Sequence, residues 1–329
     1  MDRERHTGSI YLVLIFLIVL CPFFISSIRA QTLTLVELNC ENLFDTRHDS
    51  LKEDHEFLPD GARHWTRTRF WRKLNAVGQE ILSCSERVPD LVALVEVEND
   101  TVLHYLTRRS LLRNAGYHYL MTESPDERGL DVALVYQPFR FRPLCYETLS
   151  VPVLPEMRPT RDILYVRGLC LSGDTLHVFV VHAPSRNGGE RFTRPFRRQV
   201  AEVLSAAIGT LPPDAAIVVT GDFNDYADSP ALRSLYERHR LVNISAKARG
   251  KNGACGTYRH HGDWRSLDHT LVSKALSHRV DTVFINDAPF LLEDEPDYGG
   301  KRPRRTFHGY RYRRYGFSDH LPLVVRFRF

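Results

Sequence analysis

Several short apolar runs in this sequence stop abruptly at an acidic, amide or imidazole residue, and that recurrence constrains the fold more than any average property. Leu33–Leu38 alternates apolar and polar residues and ends in Asn39-Cys40-Glu41-Asn42, while Leu91–Val95 ends at Glu96. Val178–Val181 runs into His182, and Ile217–Val219 leads into Gly221-Asp222-Phe223-Asn224-Asp225. Asp268-His269 opens one late run, and Ser318-Asp319-His320 stands just before the last. Runs of this length and composition read as strands. In a layered α/β fold, polar groups at strand ends converge on one rim. A single strand-terminal Asp or Asn is ordinarily a turn or helix cap, so it is the ordered set that points to a site.

The segments between these runs have helical periodicity. Phe70, Leu74, Val77 and Ile81 share one face, as do Val102, Leu103 and Leu106 behind a cap at Asn99 or Asp100. Phe196, Val200, Val203, Leu204, Ala207 and Ile208 form a third face, just before the strand predicted over Ala215–Val219. Further strands are predicted at Tyr117–Met121, Leu130–Tyr136, Leu164–Leu171, Thr175–Val181, His269–Val272, Val280–Ile285 and Pro322–Phe327. Ser172-Gly173-Asp174 is a hairpin link. Hairpins mixed with strand-helix-strand units imply mixed sheets, and without a repeat or low-complexity linker residues 31–329 read as one domain.

The N-terminus stands apart. Arg3, Arg5 and His6 precede the apolar run Ile10–Ile28, followed by Arg29-Ala30-Gln31. This is the order of a secretory signal peptide, and the run is also nearly long enough for an uncleaved membrane anchor. Either reading of residues 1–30 places residues 31–329 outside the cytoplasm: periplasmic, secreted, or anchored to a membrane through residues 10–28. Removing the three basic and two acidic residues of Met1–Ala30 leaves 41 basic against 38 acidic, which excludes a globally basic polyanion binder. Cys40, Cys84, Cys145, Cys170 and Cys255 show no zinc spacing, and their odd number favours buried thiols with at most a bridge or two.

Carboxylate and amide oxygens at the strand ends are hard ligands suited to Mg²⁺, with Mn²⁺ or Ca²⁺ as alternatives. Two imidazoles among them add groups able to exchange or share a proton near neutral pH. Together these suit metal-assisted hydrolysis of a phosphate ester.

Leu38-Asn39-Cys40-Glu41-Asn42, Val95-Glu96-Val97, Val181-His182-Ala183-Pro184, Gly221-Asp222-Phe223-Asn224, Ser266-Leu267-Asp268-His269 and Ser318-Asp319-His320 resemble, in order, the motifs of the endonuclease/exonuclease/phosphatase superfamily. That superfamily includes deoxyribonuclease I. Asn39–Asp45 and Ser124–Leu134 are most similar to its secreted bacterial members. The resemblance implies a four-layer α/β/β/α sandwich of two mixed β-sheets flanked by helices. It implies Glu96 as principal metal ligand, with Asn39, Glu41 and Asp319 close to the ion. Asp222 and Asn224 would orient water and the scissile phosphate. His182 would protonate the leaving oxygen or bind a phosphoryl oxygen, and His320 would be polarised by Asp268. Arg128 and Asp131 would contact substrate or form a structural ion pair. Cys40 replaces the usual small apolar residue, and strand alternation should turn it away from the site.

The fold does not name the substrate. Lys301–Arg314 contains seven basic residues interleaved with Phe307, Tyr310 and Tyr312. Lying just before Asp319-His320, it is expected to flank the cleft, with Arg305 contacting substrate; basic groups with stacking aromatics suit nucleic acid, and a solvated loop or one drawn to an anionic membrane surface is the alternative. The leading expectation is therefore an exported nuclease or phosphodiesterase. A phosphomonoesterase or sphingomyelinase-like phospholipase is the alternative, and a non-catalytic binding module on the same scaffold the third. No feature calls for a protein partner.

Overall fold

A computed structural model describes residues 31–329, so the expected signal or anchor segment lies outside the described residues. In chain order the strands are β1 (Thr32–Leu43), β2 (Leu91–Val97), β3 (His118–Met121), β4 (Asp131–Tyr136), β5 (Phe141–Leu149), β6 (Ile163–Cys170), β7 (Thr175–His182), β8 (Ala216–Asp222) and β9 (Val242–Asn243). They continue with β10 (Tyr258–His260), β11 (Asp263–Arg265), β12 (Asp268–Val272), β13 (Val280–Ile285), β14 (Leu292–Asp294), β15 (Lys301–Pro303), β16 (Phe307–His308), β17 (Arg311–Tyr312) and β18 (Leu323–Arg328). The helices are α1 (Arg67–Ser83), α2 (Asp100–Arg108), α3 (Glu190–Gly209), α4 (Pro230–His239) and the single turn α5 (Lys274–Ser277).

Two six-stranded sheets carry the fold, in the orders β13-β18-β1-β2-β4-β3 and β5-β6-β7-β8-β12-β9. Each is mixed: β1 runs parallel to β2 and β7 parallel to β8, while the other neighbours are antiparallel. Alternation along β1 explains the layering. Leu33 and Leu35 enter the core between the sheets with Val95, Val132, Val178, Val180 and Val218. Val36, Leu38 and Cys40 point the other way, into a core with Phe70, Leu74, Val77 and Ile81 of α1. A third core packs Phe196, Val200, Leu204 and Ile208 of α3 on the outer face of the second sheet. The result is the expected four-layer α/β/β/α sandwich, with Cys40 turned away from the site side.

Local chemistry fixes the helix starts. Thr66 accepts from the Arg69 amide and Asn99 accepts from the Val102 amide at 2.9 Å, so Asn99 rather than Asp100 is the cap of α2. Besides several strands and one helix of two to four residues, two longer elements escaped periodicity. β5 is a mostly exposed edge strand, and its Pro143 is accommodated at a register shift between Pro143 and Cys145. α4 is announced only by Ser229 as cap and Pro230 at its first position. Cys40, Cys84, Cys145, Cys170 and Cys255 are all free thiols. Among the described residues, no helix is long and apolar enough to cross a membrane.

Candidate active site

The catalytic cavity, about 810 Å³, opens where the two sheets end together. From the first sheet come Asn39, Glu41 and Glu96, and from the second His182, Asp222 and Asn224. Register explains the convergence: His182 on β7 pairs with Asp222 on β8, which in turn pairs with Asp268 on β12. His320, on the connection into β18, bridges to Tyr258. Asn39 joins the two sheets through its amide, which donates to Asp222 Oδ2 at 3.1 Å.

The backbone is bent to aim these groups. Glu41, Glu96 and Asn224 all have left-handed φ, at 49°, 60° and 48°. Left-handed φ is uncommon outside glycine, and such strained residues cluster at functional sites. Glu96 sits in a register shift between Val95 and Val97. Val95 faces the inter-sheet core while Val97 faces the helical layer, so the bulge breaks the alternation and projects Glu96 from the rim. Its Oε2 accepts from the Asn42 amide at 2.8 Å. At Gly221 a β-carbon would lie 1.9 Å from the Val181 carbonyl oxygen, so only glycine lets β8 approach β7 this closely.

Asp222 Oδ1 accepts from the Asn224 amide at 2.7 Å, and burial together with Asp268 raises its carboxyl to about 7. Asp268 Oδ2 accepts from Thr257 and pairs with His320 Nδ1 at 2.8 Å. Burial alone would lower His320, but Asp268, Asp222 and Asp319 together hold it well above the ordinary imidazole value. His182 behaves oppositely. Burial, with Arg161 and Arg128 nearby, pushes it well below that value, so it is neutral at pH 7. Its Nε2 lies 3.8 Å from Glu96 and 3.9 Å from Asp222, central to the cavity.

A model of the endonuclease/exonuclease/phosphatase family matches residues 34–328. The chain belongs to that family. Endonuclease/exonuclease/phosphatase proteins are divalent-metal-dependent hydrolases of phosphate esters, and this chain is such an enzyme by family. Solved structures share the fold at low identity. An endonuclease/exonuclease/phosphatase family protein from Bacteroides thetaiotaomicron aligns with TM-score 0.61 and 14% identity, covering 91% of this chain and 98% of that one. A mannosyl-6-phosphatase from the same species aligns at 0.56 and 16%, covering 89% and 98%. D. rerio TDP2 complexed with single-strand DNA product aligns at 0.51 and 17%, covering 91% and 100%. No curated protein matches the sequence significantly.

Most residues expected at a family site meet at the cavity. Asn39, Glu41, Glu96, Arg128, His182, Asp222, Asn224, Arg305, Asp319 and His320 all line it, with Asp268 directly behind His320. Glu41 is engaged by backbone: its carboxylate accepts from the Thr306 and Phe307 amides at 2.5 and 3.2 Å. Burial and Asp319 raise Glu41 to about 7 despite Lys73 and Arg305. Asp319 Oδ2 accepts from Arg305 at 2.8 Å.

Two expectations need correction. Asp131 does not face the cavity; it is buried at the start of β4, where Oδ1 accepts from Thr122 Oγ1 at 2.5 Å and the Ser124 amide at 2.9 Å. It braces the loop that presents Arg128 and does not reach substrate. The Arg-rich stretch also differs. Lys301 pairs with Asp294, Arg302 with Glu293 and Glu295, and Arg313 with Glu293. Of its basic residues only Arg305 lines the cavity, while Phe307 and Tyr312 pack against Trp65.

The basic side of the cavity comes instead from residues that sequence reasoning passed over: Arg63, Arg161, Arg186 and Arg265. Arg161 is buried, 3.1 Å from Asp126 and donating to the Ala183 carbonyl at 2.8 Å. Arg186 lies over Tyr226 at 4.4 Å, and Arg265 at 5.7 Å from the same ring. Arg63 lies over Phe307 and Tyr310 at 4.8 and 5.3 Å. Arg186 and Tyr226 each lie a few residues beyond a recognised motif, so extending those motifs would have found them. Arg63 and Arg161 carry no such signal.

Proposed function

We propose that the protein is an exported nuclease or phosphodiesterase that uses Mg²⁺. The observation that carries this reading is the placement of arginines on both sides of the acidic floor. Arg63 lies on one side over Phe307 and Tyr310, and Arg186 and Arg265 on the other over Tyr226. A single phosphate needs one such cluster; two, each backed by aromatic rings, suit phosphates flanking the scissile one. The DNA product named for D. rerio TDP2 is compatible with this reading. Export rests on the residue order of the first 30 positions.

The residues fit a divalent cation. Glu96, Asn39 and Asp319 would hold it, with Glu41 beside them, and the donor set is oxygen-rich, as Mg²⁺ prefers. Asp222 and Glu41 are both raised to about 7, first by burial and then by the neighbouring acids Asp268 and Asp319. When bound, the cation would neutralise charge on the phosphoryl oxygens. Asp222, raised toward neutrality, takes the proton of the attacking water, which Asn224 helps orient. His320, kept charged by its pairing with Asp268, gives its free ring proton to the leaving oxygen as the scissile phosphorus–oxygen bond breaks. His182, held well below the ordinary imidazole value by burial and the nearby arginines, faces the cavity between Glu96 and Asp222, where it can hydrogen-bond a phosphoryl oxygen.

The second reading, a phosphomonoesterase, is favoured by the pairing of Lys301, Arg302 and Arg313 with Asp294, Glu293 and Glu295, which holds these three cations away from the cavity. The test is purified protein with Mg²⁺ on plasmid DNA, single-stranded oligonucleotide and a panel of sugar and lipid phosphates. Diester cleavage abolished by EDTA is expected. Turnover of monoesters alone would favour the second reading, and EDTA-insensitive hydrolysis would overturn the mechanism.

A further inference from the structure

We propose that His48, Asp54 and His55 form a second metal site, distinct from the catalytic floor, that takes one transition-metal ion of the zinc type. All three lie on the connection between β1 and α1, and their ligating atoms lie within 4.8 Å of one another. Ligands around a tetrahedral zinc ion are separated by roughly 3.3 Å, so an ion would replace the His48–Asp54 contact by parting these two atoms slightly, with the remaining separations of at most 4.8 Å closing.

The geometry is that of a fixed anchor with two adjustable arms. The Asp54 side chain is 3% exposed and that of His48 37%. Asp54 Oδ1 meets His48 Nδ1 at 2.5 Å, and Oδ2 accepts from the Asp49 amide at 2.8 Å, an outer hydrogen bond that orients the carboxylate. The imidazoles of His48 and His55 stack with centroids 4.2 Å apart, which holds both rings together beside the carboxylate.

Acidic groups surround the three ligands: Asp45, Asp49 and Glu98 lie close by. Burial and Asp45, with Asp54 and Asp49 adding to them, raise Glu98 to about 8. The nearby Lys52 ammonium is taken up by the Ser124 and Asp126 carbonyls at 2.7 and 2.9 Å. Two imidazole nitrogens and one carboxylate oxygen select zinc, copper or nickel, whereas the oxygen-rich catalytic floor selects harder ions. An ion here would pin the connection that carries Trp65 into the core and Arg63 to the cavity.

The test is zinc binding by the full chain, stripped with a chelator and titrated with ZnCl₂ against a chromogenic competitor, with CoCl₂ spectra in parallel. The Glu96→Ala protein is expected to retain one tight zinc ion and visible Co²⁺ bands. His48→Ala and His55→Ala should each weaken zinc binding by at least about tenfold and lose those bands. Both histidines are exposed, and a circular dichroism spectrum checks that the variants are folded. Equal zinc affinity in the wild type and the histidine variants, or no zinc bound by Glu96→Ala, would overturn the proposal.

Discussion

The carboxylates under the cavity floor and those at its periphery live under opposite electrostatics. Beneath the floor, burial and neighbouring acids raise Glu37, Asp222, Glu41 and Glu80, and both oxygens of Glu37 and of Glu80 lack any hydrogen-bond partner. At the periphery Glu293 and Asp294 have their cations. Burial would raise Glu293, yet Arg302, His308 and Arg313 hold it below the usual value, and Lys301 does the same for Asp294. The centre of the molecule is thus short of positive charge in the one place where a divalent cation would supply it, while the surface is already balanced. Excess charge marks the working part of this fold, and local neutrality marks its frame.

The sharpest way to break that comparison is to remove a floor group. Asp222→Ala or His320→Ala is expected to reduce turnover by about 10²–10⁴-fold with the fold intact, measured as kcat on whichever ester the protein cleaves. Full activity in either variant would mean that the floor is scaffolding.

Glu80 tests the charge deficit itself. Its carboxyl is raised to about 8 by burial, despite Lys73 and with Glu41 adding to the rise, so the folded chain holds a proton that the unfolded chain releases near 4.5. Its contribution to stability is therefore complete below pH 4.5 and is lost as the pH rises toward 8, on the order of 3 kcal/mol by pH 7. Glu80→Gln should flatten the loss of Tm between pH 5 and pH 8. An unchanged slope would show that Glu80 is compensated in the folded state.

Smaller effects are expected outward. Arg186→Ala should raise KM about tenfold with kcat nearly constant, since it removes one charge-assisted phosphate contact. Arg313→Ala should change kcat/KM by less than about twofold, because its guanidinium lies outside the cavity that Arg186 lines. If Arg313 mattered more than Arg186, the division between working centre and balanced frame would have to be redrawn.

The floor was legible in the sequence because each of its groups directly follows an apolar strand, so Glu96, His182, Asp222 and Asp268 could be read in order. The sandwich was legible for the same reason: the strands alternate and the helices α1, α2 and α3 show one apolar face. The basic rim was not. Arg63 and Arg161 sit in loops whose contacts depend on tertiary closure, and nothing local separates them from the other arginines. The conspicuous Lys301–Arg314 stretch misled because its neutralising partners Glu293, Asp294 and Glu295 lie on a neighbouring strand or just beyond it. Asp131 misled because a motif position shows that a residue is used but not which way it points.

The left-handed backbone at Glu41, Glu96 and Asn224 carries a further consequence. At these positions glycine would relieve the backbone, so selection for stability alone would tend to erase them. Their retention would identify the rim as a place where the chain trades robustness for work, and thermostabilising campaigns that ignore activity should converge on removing it.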